Sequence, residues 1–150
     1  MGRVLTGLAA ATVTVMLATS VMAASVTVEQ PWARASVTAN GAGYLTVVNS
    51  GSEAVRLVGA ASPVTMRAGL HNHVMADGVM AMVQLDEVEV AAGGRVVFAP
   101  GGLHIMLMGL YQPLRQGETF DLTLRFAAHE PITVSVTILG VASMGPAGDN

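Results

Sequence analysis

From Val26 onward, apolar and polar residues alternate in short runs, and each run ends at a cluster of Gly, Pro, Asn, Asp or Ser. A two-residue period puts alternate side chains on opposite faces, the mark of a strand with one buried face. No segment keeps the i, i+3, i+4, i+7 spacing long enough for a helix of ordinary length. The pattern predicts a first strand opening at Val26 to Val28, with Pro31-Trp32 after it, and a second at Tyr44 to Val48, broken by Asn49-Ser50-Gly51-Ser52. Further strands are predicted at Ala54 to Ala60, Ala68 to Met75, Val79 to Leu85, Val88 to Val90 and Arg95 to Ala99. Leu103 to Leu110, Thr119 to Phe126 and Ile132 to Leu139 complete the set. Short strands with Gly/Pro turns between them read as one all-β domain, an antiparallel sandwich or barrel.

One turn suggests a register. Asp77-Gly78 lies between two apolar-periodic runs, and an Asp-Gly pair suits a two-residue hairpin loop with both residues left-handed. With that loop Ala76 pairs with Val79, Met75 with Met80, His73 with Met82 and His71 with Gln84. All five His and Met side chains then share one face, and His71 is a diagonal neighbour of Met82. A two-residue change of this register would set His71 directly opposite Met82 on the same face.

Residues before Val26 follow a different pattern. Arg3 supplies a short positive region, Val4 to Val21 is apolar, and Val21-Met22-Ala23 offers a peptidase site. This is the order of a secretory signal, expected over residues 1–23 and cleaved after Ala23, with Ala24 the near alternative. It implies an exported protein with no stable membrane insertion after cleavage. The chain has no cysteine, so neither a lipidated cysteine nor a disulfide nor a thiolate metal site is expected. About 127 residues remain, one domain's worth, expected as a β domain over 24–142 and a flexible tail over 143–150.

Without Arg3 the chain keeps six Arg and ten acidic residues, and it has no Lys. A net charge near −4 with no basic run argues against nucleic acid as a partner.

The candidate chemistry is a spaced set of His and Met. Ten residues separate His71 from Met82, twenty-one separate Met82 from His104, and one separates His104 from Met106. Alternation projects His104 and Met106 from the same face. Thioether sulfur is a soft, neutral donor suited to Cu(I), and imidazole serves either oxidation state of copper. Met75, Met80 and Met108 are read as core filler, His129 as a surface or hydrogen-bonded residue, and His73 is left open between an accessory ligand, a supporting group and a solvated side chain.

With these residues in view, the chain resembles the periplasmic PCu(A)C copper chaperones. The His71, Met82, His104, Met106 spacing matches that family's ligand motif. Asp77-Gly78-Val79-Met80 before Met82, the stretch Pro100-Gly101-Gly102-Leu103-His104-Ile105-Met106-Leu107-Met108-Gly109-Leu110, and Gln112-Pro113-Leu114 are similar to its surroundings. Upstream, Trp32 with Arg34, Tyr44-Leu45-Thr46 and Asn49-Ser50-Gly51 fit as well. The resemblance covers roughly Val26 to Leu139. It implies a cupredoxin-like Greek-key β-barrel with these four residues as metal ligands, and a carrier of Cu(I) to the binuclear copper centre of a haem-copper oxidase through its second subunit. Asn72 departs from the acidic residue such proteins commonly carry there, and His73 is not expected at its position. With Met144 alone in the tail, no strong second site is expected there.

Other classes fit less well. A blue-copper site needs a cysteine thiolate, zinc hydrolases favour His and carboxylate ligands, and a mature start at Ala24 or Ser25 lacks an N-terminal His. The expectation is therefore not an enzyme. A periplasmic copper buffer with the same four ligands is the alternative to a chaperone.

Overall fold

The computed structural model describes residues 25–147; the signal peptide expected over 1–23 lies outside them. Ten strands and, among the described residues, no helix make up the domain. They are β1 (Val26–Arg34), β2 (Asn40–Asn49), β3 (Val55–Ala61), β4 (Thr65–Ala76), β5 (Val79–Leu85), β6 (Val88–Val90), β7 (Arg95–Phe98), β8 (His104–Leu110), β9 (Thr119–Ala127) and β10 (His129–Leu139).

The strands run in the order β5-β4-β8-β2-β1-β10-β9-β3-β6, and a further pairing of β4 with β3 closes the sheet. Seven strands thus form a barrel, while β5 extends β4, β6 extends β3, and β7 pairs with the second half of β2. This is the all-β architecture expected from the strand pattern, in the cupredoxin-like form that the resemblance implies. Closure removes the free edges from the barrel strands themselves and leaves them on β5, β6 and β7, each paired on one side.

Period-two alternation shows directly in the burial. On β4 and β8, Leu70, Ile105 and Leu107 point into the barrel and are fully buried. Leu45, Leu57, Phe98, Leu122 and Val136 meet them in one core. The neighbours of Leu70, Ile105 and Leu107 along the chain, His71, His104 and Met106, therefore stand on the outer face.

The first strand is longer than its opening run suggests. Its register shifts between Glu29 and Trp32, where Gln30 takes φ 48°. Pro31 has no N–H to give to a ladder, so the chain bulges there and then resumes. Beyond the bulge Trp32, Ala33 and Arg34 pair in parallel with Thr137, Ile138 and Leu139 of β10. Trp32 packs on Tyr44 with ring centroids 4.6 Å apart.

At the far end of β2, Asn49 is fully buried. Its Nδ2 donates to the carbonyls of Glu53 (2.7 Å) and Val90 (3.1 Å), and its Oδ1 accepts from the Gly51 N–H (3.0 Å). Buried polar groups are retained where they are satisfied in this way; Asn49 ties the β2–β3 turn to β6.

Candidate metal centre

The hairpin folds in the register that its turn demands. Asp77 and Gly78 are both left-handed, with φ of 50° and 77°. Ala76 pairs with Val79, Met75 with Met80, His73 with Met82 and His71 with Gln84. On its other side β4 pairs with β8: His71 lies opposite His104, Gly69 opposite Met106 and Arg67 opposite Met108. Three adjacent strands thus present His71, His73, Met75, Met80, Met82, His104, Met106 and Met108 on one outer face.

Met82 and His104 come closest, with Sδ 3.3 Å from Nε2. Two ligands of one tetrahedral ion, with bonds near 2.0 Å to nitrogen and 2.3 Å to sulfur, would stand about 3.5 Å apart. The His71 ring stacks on that of His104 with centroids 5.9 Å apart and planes 24° from parallel. Met106 projects from the next rung of β8, between Gly69 of β4 and Ala42 of β2. Both neighbours are small, which leaves its thioether room.

A backbone contact sets the chemistry of His104. Its Nδ1 is 2.9 Å from the Gly102 carbonyl. A carbonyl can only accept, so the proton of the neutral ring sits on Nδ1 and the Nε2 lone pair faces Met82. Metal-binding imidazoles are commonly oriented by such a second contact. The ring is only 4% exposed although it lies on the outer face. Burial is the main cause that pushes its pKa below the ordinary imidazole value; the Gly102 bond opposes this and the neighbouring His73 and His71 add to it. Met82, by contrast, is 49% exposed.

The Nδ1 atoms of His71 and His73 are buried and have no hydrogen-bond partner. Orphaned ring nitrogens beside a soft donor pair fit a ligand role better than a packing role, because buried polar atoms are otherwise nearly always paired. Among the described residues no group of three or more His, Cys, Asp or Glu side chains is arranged to hold a metal ion.

Two expectations change. His73, left open from the sequence, is closer to His104 than His71 is, with centroids 4.9 Å apart and planes 25° from parallel. The hairpin register already placed it opposite Met82, and that was the available signal. Met75 and Met80 are not core filler: they are 64% and 56% exposed, because they lie past the end of the barrel where nothing covers the hairpin. Met108 is half-buried, and its sulfur is 3.4 Å from the Arg67 guanidinium. His129 lies apart from this face; its Nδ1 contacts the Glu130 carbonyl at 2.8 Å and its ring meets Phe126 edge-on.

Barrel and face together define a cupredoxin-like β domain with an array of soft donors on its outer surface. Comparison with known proteins agrees. The LpqE-like family model matches residues 26–138. A relative from Leifsonia xyli subsp. xyli, Lxx21020, which carries a lipoprotein name, is 35% identical over 114 residues, covering 75% of this chain and 69% of its own. Among solved structures, the apo PCuAC domain of PmoF2 superposes with a TM-score of 0.67 at 25% identity, covering 81% of this chain and 95% of that one. The Cu(I) form of DR1885 from Deinococcus radiodurans gives 0.56 at 29% identity, covering 81% and 85%. The chain belongs to the LpqE-like family, the family of the PCuAC domains.

Proposed function

We propose that this chain binds Cu(I) through His71, Met82, His104 and Met106 and delivers it, in the periplasm, to the binuclear copper centre of a haem-copper oxidase through the second subunit. One observation carries the site: the His104 Nε2 lone pair, fixed by the Gly102 carbonyl, lies 3.3 Å from the Met82 thioether. The Cu(I) form of DR1885, a fold neighbour at 29% identity, supports the choice of ion.

The donor set suits a carrier. Two imidazoles and two thioethers are neutral, so bound Cu(I) keeps its single positive charge. An acceptor rich in thiolates offers softer, negatively charged donors and draws the ion off. Met82 is half exposed, so an incoming thiolate can reach the ion without displacing the barrel. Exchange proceeds ligand by ligand, with no nucleophile or general base required, which accords with a carrier and not an enzyme. Mixing the Cu(I)-loaded protein with the soluble domain of oxidase subunit II tests this. Copper should move to the oxidase domain; tight binding without transfer would make the protein a copper buffer.

The pH dependence has a defined sign. His104 is neutral above a pKa that burial holds below the usual value of about 6.5. Its proton competition with Cu(I) therefore starts only below that region, and affinity should then drop by up to about tenfold per pH unit for this one ligand. In the metal-free protein the unfolded chain takes up that proton before the folded one does. Stability from this group is thus full above the unfolded pKa and is lost as pH falls through the folded one. Chelator competition between pH 8 and 5 checks the first statement, and urea melts over the same range check the second.

Gly69 gives a steric test. A Cβ there would lie 3.4 Å from His71 Cε1 and 3.5 Å from Met108 Cε, which is ordinary contact. Gly69→Ala should bind nearly as the parent does. Gly69→Val adds methyls against His71, and overpacking of about 1–3 kcal/mol should lower Cu(I) affinity roughly tenfold. Equal affinities for the two variants in a chelator titration would show that His71 need not hold its observed position.

A further inference from the structure

The soft-donor face does not stop at Met82. One rung outward, toward the Asp77-Gly78 turn, Met75 and Met80 lie directly opposite each other. They share a face with His73 and Met82, because i and i+2 on a strand point the same way. The hairpin pairing puts their Cβ atoms about 5 Å apart, and two flexible thioether chains can close on one ion from there. Both side chains are mostly exposed, so neither contributes to the core. His73, on the rung between this pair and the barrel, has a buried Nδ1 with no partner. Its ring leans on His104, so it stands beside both the inner donors and the outer sulfurs.

We propose that His73, Met75 and Met80 form a second, outer position for Cu(I) on the hairpin, through which the ion enters and leaves the inner site. The proposal rests on the Cu(I) reading above and extends it. Adjacent same-face rungs are about 7 Å apart along a strand, a span that the Met82 side chain bridges by changing rotamer. The step is ligand exchange: a Cu–S bond to Met82 forms as a bond to Met75 or Met80 breaks. The ion stays Cu(I), and no electron or proton moves. The outer position has three donors, two of them on exposed chains, and should bind more weakly than the inner one. That order is what passage through it requires.

Anaerobic titration of the protein, carrying 13C-labelled methionine methyls, with Cu(I) tests the proposal. The first equivalent should shift the Met82 and Met106 methyls, and the second should shift Met75 and Met80. The double variant Met75→Leu/Met80→Leu keeps the apolar volume and, at exposed positions, should keep the fold, as circular dichroism will report. It should take up one ion where the parent takes two, and it should release that ion to a chelator several-fold more slowly. Outer methyls that stay unmoved at two equivalents, or a double variant that still binds two ions, would overturn the outer position. Failure of the inner site has its own signature, since the Met82 and Met106 methyls would then not move at the first equivalent.

Discussion

Cu(I) affinity is expected to fall at least about 100-fold when His104 is replaced by alanine. Loss of a group that merely orients a ligand costs 10–100-fold in metal affinity, and His104 combines both roles. Its Nε2 faces the Met82 sulfur. Its ring is also the surface on which His71 and His73 stack, so its removal frees both to reorient. Met82→Ala should cost less, because Met82 is half exposed whereas His104 is buried. His129→Ala should cost nothing, since that ring is engaged with Phe126 and the Glu130 carbonyl. Competition against a chromophoric Cu(I) chelator, with circular dichroism to verify folding, measures all three. Parent-like affinity for His104→Ala would remove it from the coordination set and with it the proposed site.

The largest effect on stability is expected at Asn49, well away from the metal face. Asn49→Ala removes three hydrogen bonds at once and leaves the buried Val90 carbonyl without its side-chain donor. Stranding buried polar groups costs about 1–3 kcal/mol each, so a loss of about 3 kcal/mol is expected, or roughly 10 °C in melting temperature. Asn49 lies seven residues along β2 from Ala42, the β2 neighbour of Met106, about 23 Å away. Cu(I) affinity measured well below the melting temperature should therefore match the parent's. A variant that melts like the parent would show that water satisfies the same groups.

Local features of this fold were legible in the chain, and long-range ones were not. Asp77-Gly78, taken as a two-residue loop, led to the observed hairpin register, although a register shifted by two residues was also open. The i, i+2 relation of His104 and Met106 likewise needed only strand alternation. The insertion of β8 between β4 and β2 is a pairing between segments far apart in sequence, on which no turn reports. That insertion buries His104 on an outer face and sets His71 directly across from it. The parallel pairing of Trp32–Arg34 with β10 was hidden for the same reason, and Pro31 made the run look shorter than it is. The exposure of Met75 and Met80 could not be read from their residue type, since a methionine on a strand is usually buried. It follows from how far the hairpin outruns the barrel.

The position of β5 in the sheet has a dynamic consequence. β8, which carries His104 and Met106, is hydrogen-bonded to a neighbour on each side, whereas β5, which carries Met82, has β4 alone. Local opening free energies range from near zero up to the global value, with core strands at the top, and a strand bonded on one side has fewer hydrogen bonds to break than one bonded on both. The proposed ligands are thus divided between a slowly exchanging segment and a readily fraying one. An ion held by both ties the fraying strand down, and its residence time is then governed by the breathing of a single hairpin while the barrel stays closed.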